Sequence, residues 1–134
     1  MTHLLDTHAW IQRALGEPLP PLVESTLTDH ADNLAIADVS LWEAAKLVEL
    51  GRLELSVPLA EFFRQAISPD LAVLPITPAI AERVAELEGS GFHKDPADQL
   101  IVATALVHHL RLVSDDSRIR QWGKVPLLWR TSRG

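Results

Sequence analysis

None of the 134 residues is cysteine, which removes both a disulfide framework and a thiolate zinc site and gives no reason to look for an oxidising compartment. A long apolar run is missing too. The longest, Leu100 to Val107, contains Thr104 and is too short to span a bilayer. The opening Met1-Thr2-His3-Leu4-Leu5-Asp6 has no basic region ahead of its apolar residues. A soluble, unprocessed, cytoplasmic chain without membrane contact is therefore expected. There are no repeats, low-complexity tracts or linker-like stretches. With 47% hydrophobic residues, a single domain over residues 1–134 with one core is expected.

Positive charge is scarce over most of the chain. The net charge is -6, and residues 1–110 hold 6 Lys/Arg against 16 Asp/Glu. Taken as a total, that argues against a phosphate-backbone partner. The last 24 residues reverse the balance, with Arg111, Arg118, Arg120, Lys124, Arg130 and Arg133 against only Asp115 and Asp116. A basic end of this kind is either an ordinary solvated surface or an edge that meets anions.

What is present is an alternation of short apolar runs and helical patterns. Leu4-Leu5 reads as a buried strand, and Asp6-Thr7 starts a helix to Leu15 that Gly16 stops. Pro20-Pro21 opens a helix through about Ala31, Leu34–Ala37 is a strand, and Ser40 starts a helix that ends at Gly51. Residues 58–67 form an amphipathic helix, Leu71–Ile76 a strand, and Thr77-Pro78 begins a helix to about Glu88. After the Gly89-Ser90-Gly91 loop, Asp95-Pro96 opens an apolar helix to about Leu110. Strand Leu112-Val113, a turn at Ser114-Asp115-Asp116, a short helix and a strand Val125–Trp129 complete the chain. This order predicts a three-layer α/β/α sandwich around a parallel sheet of four or five strands. Sites in such sheets lie beyond the carboxyl ends of the strands.

Acids recur at that edge: Asp6, Glu43, the pair Asp95 and Asp98, and Asp115-Asp116. Each is also a good helix-starting residue. Asp6, Asp95 and Asp116 have N-cap positions, Glu43 stands at capping-box spacing from Ser40, and Asp98 suits the positive end of a helix. Independent caps have no need to converge, whereas strand ends of one sheet bring them into one cleft. Two carboxylates at about 4 Å repel by roughly 4 kcal/mol at an effective dielectric near 20, so a cluster calls for a cation. Oxygen-only donors select Mg²⁺ or Mn²⁺, one ion or two, and the matching chemistry is phosphodiester hydrolysis by an activated water.

Five blocks in order resemble the PIN-domain nucleases, and among them the VapC-type toxins, over nearly the whole chain. They are Leu4-Leu5-Asp6-Thr7-His8, Val39 to Lys46 with Leu50-Gly51-Arg52-Leu53, Leu74-Pro75-Ile76-Thr77, His93 to Ala105, and Leu112 to Asp116. The resemblance implies that Asp6, Glu43, Asp98 and Asp116 bind metal. Asp95, three residues before Asp98, is left as a further ligand or water-positioning acid. Ala97 and Gln99 depart from the family, which commonly has an aromatic and an Arg there. The same resemblance implies a PIN-like fold, metal-dependent RNA cleavage leaving 5′-phosphate and 3′-hydroxyl ends, a homodimer, and a cognate antitoxin that blocks the acidic cleft.

Thr7 and Ser114 stand beside their acids as hydrogen-bonding partners of carboxylate or phosphate, or equally as a cap and a turn residue. Arg118, Arg120 and Lys124, with Arg130 and Arg133, are the candidates for RNA phosphates. The six histidines lack zinc spacing and are assigned structural roles, as Trp10, Trp42, Trp122 and Trp129 are assigned to core or interface. Two rivals stand beside the nuclease. An Asp-based phosphatase wants an acid two residues after its nucleophile, where this chain has His8. A non-catalytic module of the same fold would act only through its partner, and an RNA assay with Mg²⁺ and Mn²⁺ separates it.

Overall fold

The computed structural model describes residues 1–129. Five parallel strands form its sheet: β1 (His3–Leu5), β2 (Leu34–Ala37), β3 (Ala72–Leu74), β4 (Arg111–Val113) and β5 (Leu127–Leu128), in spatial order β3-β2-β1-β4-β5. The chain builds outward from β1 through β2 to β3, then returns to the other side of β1 to lay down β4 and β5. The boundary between β1 and β4 is therefore the topological switch point, where the loops leaving neighbouring strands part in opposite directions and open a crevice. Register places Leu5 beside Ile36 on one side and Val113 on the other.

Period-2 alternation divides the strand residues between two cores. Leu4, Ala35, Ala37 and Leu112 face α5 (Pro78–Glu88), α6 (Pro96–Val107) and α7 (Ser117–Trp122), meeting Ile80, Ile101, Val102 and Ile119. Leu5, Leu34, Ile36 and Val113 face α1 (Thr7–Ala14), α2 (Pro21–Asp29), α3 (Val39–Glu49) and α4 (Leu59–Ala66), meeting Trp10, Val23, Leu27 and Phe62. Leu4 and Leu112 are fully buried, and each such side chain contributes about 1.5–3 kcal/mol of transfer free energy. This is the expected three-layer α/β/α sandwich, with five strands. No helix among the described residues is long and apolar enough to cross a membrane.

Several boundaries differ from the sequence expectation, each for a local reason. The helix after β2 starts at Val39, not Ser40, and its N-cap position, Asp38, makes no side-chain capping bond; the Asp38 carboxylate accepts instead from Ile76 N–H at 3.1 Å. The helix at Pro21 stops at Asp29, and a 3-10 turn, Ala31–Asn33, feeds β2. Helix α6 ends at Val107 because His109 adopts a left-handed conformation, φ 55°, and Leu110 N–H closes back onto Ala105 O at 2.9 Å. The last strand shrinks to two residues, since only Leu127 and Leu128 pair with β4. Trp42, expected in core or interface, is 57% exposed and is not a core residue.

Candidate active site

The acids arrive from four places at the carboxyl end of the sheet. Asp6 follows β1 directly and caps α1, accepting from Ala9 N–H at 2.8 Å. Glu43 stands on the second turn of α3. Asp95 caps α6 by accepting from Asp98 N–H at 3.0 Å. Asp116 follows β4 and caps α7, accepting from Arg118 and Ile119 N–H at 2.8 and 3.1 Å. Capping and convergence turn out to be compatible. Asp6, Glu43, Asp95, Asp98, Asp115 and Asp116 all line one cleft of about 350 Å³ at the switch point. The capping-box alternative for Glu43 does not hold, because Ser40 lies inside the helix and bonds elsewhere.

That bond belongs to a buried hydroxyl relay. Thr7 Oγ1 donates to Glu43 Oε1 and lies 2.9 Å from Ser40 Oγ. A carboxylate only accepts, so the single Thr7 hydrogen goes to Glu43, and Ser40 must be the donor to Thr7. Thr7 and Ser40 are essentially without solvent exposure, and Thr7 lines the cleft. Ser114 is equally buried and accepts from Asp116 N–H at 3.1 Å, holding the turn after β4.

Charge is distributed unevenly over the acids. Burial pushes Asp6 above the usual carboxylate range; the Ser114 hydroxyl and Ala9 N–H offset this, and the Asp98 charge adds to it. Burial likewise raises Glu43, against the Thr7 bond and with the charges of Asp98 and Asp95 behind it. Asp98 is raised by burial and by Asp95 and Asp116, with His93 opposing. Asp116 goes the other way: partial burial pushes it up, but the N–H groups of Ile119 and Arg118 and the Arg118 guanidinium outweigh that and hold it low. The Arg118 guanidinium spans the mouth, 3.2 Å from Asp98 Oδ2 and 3.3 Å from Asp116 Oδ2.

Among the described residues no three acid or histidine side chains are gathered tightly enough to enclose an ion. The donor set nonetheless suits a hard divalent ion. It is made of carboxylate oxygens, and three of its members resist ionisation because burial and mutual repulsion disfavour their charge.

The other sequence candidates separate. Arg118 reaches the cleft, whereas Arg120 turns to Asp115, 3.2 Å away. Lys124 lines a different hollow, over Trp122 and 3.4 Å from Ser90 O. Arg130 and Arg133 lie outside the described residues. Sequence reasoning missed His93, assigned a structural role, whose Nε2 sits 2.7 Å from Asp98 Oδ2. It also missed Gln12, His8 and Trp129 in the cleft wall. A histidine five residues before an acid, across a helix start, has no periodic signature; its nearness to Asp95-Pro96 and its place at the head of the family-like block His93 to Ala105 were the available hints. Ala97 and Gln99, the two departures, are both buried, and Gln99 Nε2 donates to His93 O at 3.3 Å.

The PIN domain family model matches residues 3–125. Ribonuclease VapC22 of Mycobacterium tuberculosis (strain ATCC 25618 / H37Rv) is 37% identical over 119 residues, covering 89% of this chain and 90% of the relative. Among solved structures, VapBC2 from Rickettsia felis, bound to a DNA fragment from their promoter, superposes with a TM-score of 0.69 at 19% identity. It covers 97% of this chain and 100% of that one. A toxin-antitoxin complex from Klebsiella pneumoniae gives a TM-score of 0.65 at 21% identity, covering 95% and 96%. The order of the acids along the chain, the switch-point cleft and the family match agree: this chain belongs to the PIN-domain family.

Proposed function

We propose that this chain, acting as one nuclease domain, is a divalent-metal-dependent endoribonuclease and the toxin of a toxin–antitoxin pair. The observation that carries the chemistry is the convergence of Asp6, Glu43, Asp98 and Asp116 from separate strand and helix ends into one cleft. The 37% identity to a ribonuclease supports RNA as the substrate, and the toxin-antitoxin fold neighbours support an antitoxin as partner. A homodimer working in the cytoplasm completes the reading.

In this reading Asp6, Glu43, Asp98 and Asp116 hold Mg²⁺ or Mn²⁺, one ion or two, with Asp95 at the rim. The ion supplies an acidified water and neutralises phosphoryl charge. The chain's own residues do the rest. Thr7 keeps one Glu43 oxygen engaged, so the carboxylate enters the cleft in a single orientation. Ser114 fixes the turn that carries Asp116. Arg118, with 55% of its side chain exposed, is the cation able to leave its carboxylates for an RNA phosphate; Arg120 and Lys124 are left to contact the strand farther out.

The test is incubation of wild type and Asp6→Asn, each freed of partner protein, with total RNA and Mn²⁺, with cleavage ends mapped. Discrete cuts by wild type alone, abolished by a chelator, are expected. Equal cleavage by the two proteins, or none by wild type, would overturn the reading and leave a fold that acts only through its partner.

A further inference from the structure

Asp98 differs from the other cleft acids in having two side-chain donors, a ring and a guanidinium, on a single oxygen. One of its oxygens, Oδ2, takes both the His93 ring at 2.7 Å and the Arg118 guanidinium at 3.2 Å. Among the described residues no protein donor reaches Oδ1. The two donors are not equivalent. Arg118 is an exposed side chain, 55% open to solvent, whereas His93 is built in: 17% of its side chain is exposed, and its ring stacks on Phe92 with centroids 4.3 Å apart. Phe92 is itself buried and meets the Trp122 ring edge-on at 5.0 Å. The backbone is held as well, since the buried Gln99 amide donates to His93 O. An ionised carboxylate accepts, so Nε2 carries the hydrogen, and among the described residues the enclosed Nδ1 has no partner. A buried ring nitrogen left without a bond is costly. The polar contact that the ring does make is through Nε2.

We propose that His93 is a positioning residue for Asp98. Its Nε2–H locks Oδ2 and so aims Oδ1 into the cleft, where the family's ion would bind. The inference rests on the metal-dependent reading above and adds a residue outside the acid set. Partners of this kind behind a metal ligand are worth about 10- to 100-fold in metal affinity. His93→Leu removes the donor at similar bulk. His93→Gln can place an amide N–H where Nε2 was, whereas the shorter His93→Asn cannot reach.

The experiment is calorimetric titration of Mn²⁺ into the full chain, free of partner protein, for wild type and the three variants, with a melting curve for each. The expected result is wild-type binding, a loss of about 10- to 100-fold in affinity for His93→Leu and His93→Asn, and recovery to within about threefold in His93→Gln. Mn²⁺ affinity equal to wild type in both His93→Leu and His93→Asn overturns the proposal while leaving the metal reading intact, even if their melting temperatures fall. Absence of Mn²⁺ binding in the wild type removes the metal reading, and this proposal with it. Should His93→Leu not fold, the contrast between Gln and Asn decides alone.

Discussion

The two sides of the acid cleft differ in what holds their carboxylates. On the β1–α3 side, Asp6 is buried and Glu43 half-buried, and among the described residues their hydrogen bonds come from neutral donors, the Ala9 N–H and the hydroxyls of Ser114 and Thr7, with His8 the nearby group that favours their charge. Their charge is disfavoured, and both are held above the usual carboxylate range by burial. On the α6–α7 side, Asp98 and Asp116 share the Arg118 guanidinium; burial still raises Asp98, while Asp116 is held low. Neutral hydroxyls orient a carboxylate without neutralising it, whereas a guanidinium neutralises and can be exchanged. On the proposed metal-dependent reading, the inner side would take its cation from outside, whereas the outer side has the Arg118 guanidinium beside it.

The largest effect expected from this difference is at Asp6. Asn caps a helix as well as Asp does, so Asp6→Asn keeps α1 intact while removing the buried charge. RNA cleavage should fall on the order of 10²- to 10³-fold, the usual scale for deleting one preorganised electrostatic group. Without metal the same variant should melt higher, by about 3–5 °C, the equivalent of about 1 kcal/mol in a chain of this size. The sign follows from linkage. The folded-state value of Asp6 is raised above its unfolded value by burial, so between the two the folded protein holds the extra proton and stability falls as pH rises. The advantage of Asp6→Asn should thus be absent at acid pH, grow through that window and then level off. Added Mn²⁺ should raise the wild type more than the variant. Differential scanning fluorimetry across pH, with and without Mn²⁺, reads all of this; a variant that melts lower at neutral pH without metal would break the comparison.

Next in size is the hydroxyl relay. Thr7→Val keeps the shape of the side chain but leaves the Ser40 hydroxyl buried without its acceptor and Glu43 without its donor. A loss of about 1–3 kcal/mol in stability is expected, with a drop of about tenfold in cleavage once metal is saturating. Thr7→Ser, which restores the hydroxyl, should recover cleavage more completely than stability, because it lacks the methyl that fills the core. Urea unfolding and single-turnover kinetics separate the two quantities. Cleavage unaffected in Thr7→Val would reduce the relay to packing.

How much of this was readable beforehand depended on the range of the signal. The switch from β1 to α1 at Asp6 and the opening of α6 at Asp95-Pro96 are local, since an apolar run and a cap are visible in a handful of residues. The acids could be named from those signals together with the family resemblance. Ser40 shows the failure: a hydroxyl three residues before Glu43 spells a capping box, yet helix α3 begins one residue earlier and Ser40 turns inward to Thr7, 33 residues away in the chain. His93 failed for the same reason, because its role depends on Asp98 and on the stacking of Phe92 and Trp122, none of which leaves a period in the sequence. Trp42 failed in the opposite sense. Its apolar helix face pointed to core or interface, and the core half of that reading falls because this face of α3 is left uncovered by the fold.

The smallest expected effect, and the sharpest discrimination, lies among the basic residues of the outer side. Arg118 and Lys124 are near in sequence and equal in charge, yet only Arg118 reaches the acid cleft; Lys124 rests over Trp122 on another face. If Arg118 exchanges its carboxylates for a phosphate, Arg118→Ala should act on two ligands with opposite sign. Metal-free Asp98 and Asp116 lose their counter-ion, so Mn²⁺ should bind up to about fivefold more tightly, the scale of an exposed ion pair removed as competitor. RNA binding should weaken, with the slope of log affinity against log salt reduced by about 0.7, one single-stranded phosphate contact. Lys124→Ala should leave Mn²⁺ affinity unchanged and lower that slope only if the RNA path extends beyond the cleft. Titrations of Mn²⁺ and of a chelator-protected RNA at several salt concentrations test both variants together. Weaker binding of Mn²⁺ in Arg118→Ala would mean that the guanidinium organises the two carboxylates for the ion, and the outer side would then follow the same plan as the inner one.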